Sequence, residues 1–172
     1  LVISFAVYLL HRVAFANKEV RCGEWYQVKG RQLSGCTFGI VGCGHIGKDL
    51  VRLLKPFGCN ILAHDILDFK EFYQENNITS VGLDELLQKS DVVTLHLPKN
   101  DSTNNILNKD RLQMLKKDAI LINLARGGLI DEVALKNILS KNSIAGAALD
   151  VFLVEPPIDT DFSHLDNVLI TP

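Results

Sequence analysis

A chain of 172 residues, 47% of them hydrophobic, has the size and apolar content of one soluble domain with a full core. Its 18 Lys plus Arg against 20 Asp plus Glu leave a formal net charge of -2, with no basic stripe for a nucleic acid and no polybasic flank for an anionic membrane, so neither is expected as a partner. The four cysteines, Cys22, Cys36, Cys43 and Cys59, are too few and too unevenly spaced for a disulfide framework or a CxxC metal knuckle, and the expectation is a reducing, cytoplasmic setting without a metal.

The opening run from Leu1 to Leu10 is apolar, but ten residues cannot span a hydrocarbon core. No basic region precedes it and no small-residue cleavage site follows it, so it reads as a helix rather than a signal peptide. A chain that begins with Leu inside such a helix is expected to be a piece of a longer polypeptide. Residues 19–34, with Gly23, Trp25, Gly30 and mixed charge, show no period and read as an irregular arm. From Thr37 onward, short β-branched runs alternate with amphipathic stretches. Strands are expected over 37–41, 60–63, 80–81, 92–97, 119–124, 144–149 and 168–170. Helices are expected over 46–57, 68–76, 84–89, 109–115 and 131–141, several opened by Asp as N-cap. Strand-helix alternation with continuously apolar strands implies a doubly wound α/β domain, its parallel sheet covered on both faces.

The segment Gly42-Cys43-Gly44-His45-Ile46-Gly47 follows the first regular strand and opens a helix, and that context is what lifts a weak six-letter pattern. The first Gly permits a tight turn, the second lets a pyrophosphate approach the backbone, and the third lets helix and strand pack closely, with the helix N-terminus facing the anion. Cys43 inside this turn reads as a small buried filler rather than a reactive thiol. Asp65 closes the second strand where a carboxylate accepts from a ribose 2'-hydroxyl, and no Arg follows in Ile66, Leu67, Asp68 or Phe69, which favours NAD over NADP. A methyltransferase reuses a similar turn, but the later motifs disfavour it. Each of those motifs ends a strand, on the ligand edge of an open α/β sheet: His96-Leu97-Pro98 leading to Thr103, Asn123-Leu124-Ala125-Arg126-Gly127, and Asp150-Val151-Phe152. Arg126 reads either as a bidentate clamp for a carboxylate or as a surface arginine. Glu155 reads as a partner that raises an imidazole pKa or as a solvated loop carboxylate.

Taken in order, Gly42 to Gly47, Leu95-His96-Leu97-Pro98 with Thr103, Ile122 to Gly128 with Asp131, and Ala148 to Phe152 with Glu155-Pro156 resemble the D-isomer-specific 2-hydroxyacid dehydrogenase family over nearly the whole chain, and most of all its phosphoglycerate dehydrogenase branch. The resemblance implies a Rossmann-like NAD-binding domain, with a helix and dimerisation arm over 1–34 and the core over 35–172. It implies hydride transfer between NAD(H) and a D-2-hydroxy or 2-oxo acid, of 3-phosphoglycerate or hydroxypyruvate type. The cofactor positions it implies are Gly42, Gly44, His45, Ile46, Gly47, Asp65, Pro98, Thr103, Leu124, Ala125, Arg126 and Asp150. Arg126 would bind the substrate carboxylate and carbonyl, and Glu155 would support a catalytic His.

In the family that His follows a Thr-Pro pair, and here Thr171-Pro172 ends the chain. None of the five histidines moves into the role; His96, on the ligand edge, is the nearest rival but has no neighbouring carboxylate in sequence. The family's substrate domain is likewise expected to lie outside this chain, so the fragment should bind NAD(H) without turnover. The family's resemblance also embraces corepressors that bind NAD(H) and act through partners, and fold alone does not separate the two readings. Leu1, Val2, Phe5, Leu9 and Val13 on one helical face, with Trp25 and Tyr26 in the arm, suggest a homodimer.

Overall fold

The computed structural model describes residues 1–157 and 162–172. Two helices, α1 (Val2–Leu10) and α2 (Val13–Arg21), lead through an extended arm and a short 3-10 turn into β1 (Thr37–Val41). Then follow α3 (His45–Leu54), β2 (Asn60–His64), α4 (Lys70–Glu75), β3 (Thr79–Ser80), α5 (Leu83–Lys89), β4 (Val92–Leu95), α6 (Lys109–Leu112), β5 (Ile120–Asn123), α7 (Glu132–Ser140), β6 (Gly146–Leu149) and β7 (Val168–Ile170). The seven strands form one sheet in the order β3-β2-β1-β4-β5-β6-β7, and every pairing is parallel. The order reverses direction between β1 and β4, where connections leave on opposite faces and open a crevice at the carboxyl ends of the strands.

Strand side chains alternate between two cores. Val93, Leu95, Leu121, Ala147 and Leu149 pack with Leu86, Leu112 and Leu135 from α5, α6 and α7. Phe38, Ile40, Ile120, Ile122 and Ala148 pack on the other face with α3 and α1. Both faces are thus dry, which is why the strands read as continuous apolar runs. Among the described residues no helix is long and apolar enough to cross a membrane.

Several expectations are corrected at this level. The opening is two helices, broken at His11-Arg12 with Arg12 at φ 50, so Glu19 to Arg21, read as arm, are helical. The α1 stripe buried in the core is Phe5, Ala6 and Leu10, with Val2, Ile3 and Leu9 packed beside it. Most of the face assigned to a dimer contact therefore serves the core; the exposed apolar side chains are Leu1, Val7, Val13, Val20, Trp25 and Tyr26. Of the expected Asp caps only Asp131 acts, its carboxylate accepting from Ala134 N at 2.9 Å. Phe69 and Gly82 stand at the starts of α4 and α5, and Asn108 caps α6. The strands expected over 92–97, 119–124 and 144–149 are shorter, running over Val92–Leu95, Ile120–Asn123 and Gly146–Leu149.

Candidate cofactor and active site

The turn after β1 is built from three glycines with three different constraints. Gly42 has φ +93, its N–H donates to the His64 carbonyl at 2.8 Å, and a Cβ there would lie 2.7 Å from the His96 carbonyl oxygen. Gly47 lets α3 press on the turn, since a Cβ would lie 2.5 Å from the Gly42 carbonyl oxygen. Gly44 is exposed, and a Cβ would meet nothing within 4 Å. It is also the N-cap of α3, where no side chain caps the first-turn amides. An open space over a glycine at an uncapped helix N-terminus has the room and the free amides to hold an anion such as the pyrophosphate of a dinucleotide. His45 and Ile46 flank it, both exposed.

Asp65 lies one residue beyond β2. One carboxylate oxygen accepts from Cys43 N at 2.6 Å and the other from Leu67 N at 2.9 Å, so it braces the glycine turn as well as facing the groove lined by Ile66, Leu67 and Asp68. Each oxygen retains a second lone pair for a ribose hydroxyl. Cys43 is fully buried, and burial pushes its thiol up, only partly offset by the Tyr73 hydroxyl; the thiol is a filler, as expected.

Beyond β4, His96 keeps its N–H on the Val41 carbonyl at 2.8 Å and its Nε2 3.1 Å from Thr94 Oγ1. Burial pulls its pKa down to about 4, so the ring is neutral near neutrality and a weak base. This agrees with setting His96 aside as the proton carrier. Pro98 is exposed, while the Thr103 hydroxyl donates to the Pro98 carbonyl at 2.7 Å and accepts from Asn100 N at 2.9 Å. Thr103 thus holds the loop that presents Pro98.

The next loop depends on Asn123, which sequence reasoning quoted in a motif but did not single out. Its buried amide accepts from Ala125 N at 3.1 Å and donates to the Arg126 carbonyl at 3.0 Å, curling the chain so that Leu124 and Ala125 are half-buried and Arg126 is exposed. A polar residue ending the apolar strand β5 was the available signal. Arg126 Nη1 donates to the Ala125 carbonyl at 2.6 Å, and among the described residues no carboxylate pairs with the guanidinium. A Cβ on Gly127 would lie 1.7 Å from the Phe152 carbonyl oxygen, so the loops after β5 and β6 touch through backbone. Asp150 receives the Thr171 hydroxyl, and Glu155 Oε1 accepts from Phe152 N at 2.9 Å. The structure therefore places the sequence-derived residues on the carboxyl edge, in the turns after β1, β2, β4, β5 and β6 and in the first turn of α3.

The chain matches a known family. The D-isomer specific 2-hydroxyacid dehydrogenase, NAD binding domain, matches residues 3–172. The chain belongs to this family. It is 41% identical over 160 residues to a D-3-phosphoglycerate dehydrogenase of Methanocaldococcus jannaschii, covering 91% of this chain and 30% of that protein. It is 40% identical over 171 residues to a glyoxylate reductase of Thermofilum pendens, covering 94% of this chain and 50% of that protein. A D-lactate dehydrogenase structure with NAD+ from Lactobacillus jensenii superposes with a TM-score of 0.91 at 29% identity, covering 99% of this chain and 56% of that one. The chain thus spans between 30% and 56% of the length of these relatives, and what it contains is the family's NAD-binding domain.

Proposed function

We propose that the chain seats NAD(H) along the carboxyl edge and that the intact protein uses it to interconvert a D-2-hydroxy acid and its 2-oxo acid, of 3-phosphoglycerate or hydroxypyruvate type. The observation that carries this is the open space over Gly44 at the uncapped start of α3, with the Asp65 carboxylate braced beside it. Gly42, Gly44 and Gly47 shape the pyrophosphate seat, His45 and Ile46 border it, and Asp65 takes the ribose and repels a 2'-phosphate. Pro98 on the loop held by Thr103, Leu124, Ala125, Arg126 and Asp150 complete the cofactor edge. Bound NAD supplies the hydride acceptor. The Arg126 guanidinium, exposed and without a carboxylate partner among the described residues, orients the substrate carboxylate and polarises the C2 oxygen, as a planar fork does well. Glu155 holds the protonated form of a histidine that none of the five here supplies, so the 172 residues alone bind cofactor without turnover.

The four free thiols accord with a reducing, cytoplasmic setting. A homodimer formed through Trp25, Tyr26 and Val20 in and near the arm accounts for their exposure, Trp25 at 82%. Calorimetric titration of the chain with NADH, and assay of the full-length gene product with NADH and 2-oxo acids, test the reading. Binding by the chain and turnover by the full-length protein are expected. No binding removes the cofactor assignment. Binding by the full-length protein without turnover on any 2-oxo acid transfers the reading to an NAD(H)-sensing binding protein.

A further inference from the structure

We infer that Glu132 is a positioning residue for the loop that carries Glu155; its catalytic consequence rests on the function proposed above. Glu132 is the first residue of α7 and follows the capping Asp131. Its Oε1 accepts from Leu153 N at 2.7 Å, while the adjacent amide, Phe152 N, donates to Glu155 Oε1 at 2.9 Å. Two successive amides of one loop are thus held by two carboxylates, one from α7 and one from the loop itself. The Phe152 carbonyl between them is pressed against Gly127, whose Cβ would lie 1.7 Å away. The loop is therefore fixed by Gly127 at Phe152 and by Glu132 at Leu153, two residues before Glu155.

Placing a second carboxylate near Glu155 is unfavourable unless something offsets it. Burial and the Glu155 charge push the Glu132 carboxyl up, and the Leu153 amide and Lys99 act in the opposite sense. Lys99 reaches this place by lying across Gly128, where a Cβ would stand 2.6 Å from Nζ. Glu132 at the start of α7 also meets the positive end of the helix. The loops after β4, β5 and β6 meet around this one side chain, so releasing Leu153 frees the segment that aims Glu155 while leaving the glycine turn and Asp65 untouched.

The test uses three substitutions. Glu132→Ala removes the acceptor, Glu132→Gln keeps an acceptor of the same reach without charge, and Glu132→Asp keeps the charge but shortens the reach. In the 172-residue chain, amide hydrogen exchange at Leu153 should rise about tenfold in the Ala variant, the scale of one lost hydrogen bond to a charged group. In the full-length protein kcat should fall about tenfold or more, with the NADH Kd changed by less than about twofold. Glu132→Gln should restore most of both, and Glu132→Asp should not, a comparison that stands even if the Ala variant fails to fold. Unchanged Leu153 exchange in the Ala variant, or normal kcat in the Asp variant with loss in the Gln variant, overturns the proposal. If the wild-type full-length protein turns over no 2-oxo acid, the dehydrogenase reading falls, and Leu153 exchange alone decides whether Glu132 holds the loop.

Discussion

Replacing each turn glycine by alanine separates the ligand seat from the fold. At Gly44 the backbone is extended (φ -70, ψ -153) and no atom lies within 4 Å of the added methyl, so the folded state tolerates it. Stability should be unchanged or raised by up to about 1 kcal/mol, since alanine has less unfolded-state freedom to lose. That methyl would occupy the space a pyrophosphate needs, and pushing the anion back weakens one charge-assisted amide bond worth roughly 1.5–3 kcal/mol, or about a 10- to 100-fold rise in Kd. At Gly42 the outcome is opposite in kind: φ is +93 and the methyl would lie 2.7 Å from the His96 carbonyl oxygen, a backbone atom that cannot swing away. Left-handed strain and the close contact together should cost about 2–4 kcal/mol of stability. Thermal melts with and without NADH read both effects, because ligand at 100 times the wild-type Kd adds about 2.7 kcal/mol to wild type but only roughly 0.4 kcal/mol to a variant bound 100-fold more weakly. A Gly44→Ala protein that binds NADH like wild type, or that unfolds as easily as Gly42→Ala, refutes the assignment of the seat.

Asp65→Ser with Ile66→Arg should turn preference toward NADPH but also weaken NADH binding, because Ser cannot brace Cys43 N and Leu67 N together; unchanged preference in paired titrations would exclude Asp65 as the ribose partner. His96, with its folded pKa near 4 below the ordinary 6.5, binds its proton more readily in the unfolded chain, so stability should be full above pH 6.5 and fall by up to about 3 kcal/mol as pH drops toward 4. His96→Gln should flatten that slope in urea melts, and an imidazole NMR midpoint near 6.5 would contradict it. Asn123→Ala should lose about 2–4 kcal/mol through two buried amide bonds, read by urea denaturation; a loss under 1 kcal/mol would mean that the turn stands without it. Trp25→Ala should dissociate a homodimer seen by sedimentation, and a concentration-independent monomer in the unmutated full-length protein removes the dimer altogether.

What was legible in the sequence was whatever depends on backbone and periodicity. β1 and β7 have the expected bounds because their apolar runs end abruptly, at Gly42 and at Thr171-Pro172. The constraints at Gly42 and Gly47 were readable because each follows from a conformation or a close approach. What stayed hidden depends on contacts distant in sequence. Nothing at His11-Arg12 announces a helix break, since neither Gly nor Pro stands there and Arg12 reaches the left-handed region with its guanidinium 4.4 Å from the Phe15 ring. Asp68 and Asp84 look like caps, yet Asp68 pairs with Lys70 and Asp84 with Arg111. The prior engagement of Asp65 and Thr103 with main-chain groups could not be read from spacing either.

Those engagements explain how an edge made of loops keeps a fixed shape. Side chains on the edge bind backbone of their own or a neighbouring turn: Asp65 to the glycine turn, Thr103 to the Pro98 carbonyl, Asn123 to its own turn, and Glu155 to Phe152 N. Each such bond spends polar capacity on shape, which leaves Arg126 as the exposed cation on the β5 turn without a carboxylate partner among the described residues. On the function proposed above, a carboxylate substrate would displace little there, since among the described residues the guanidinium gives up one bond, to the Ala125 carbonyl. On that same function, selectivity among 2-oxo acids would have to come from groups that contact the rest of the substrate, because a lone guanidinium recognises the carboxylate common to all of them.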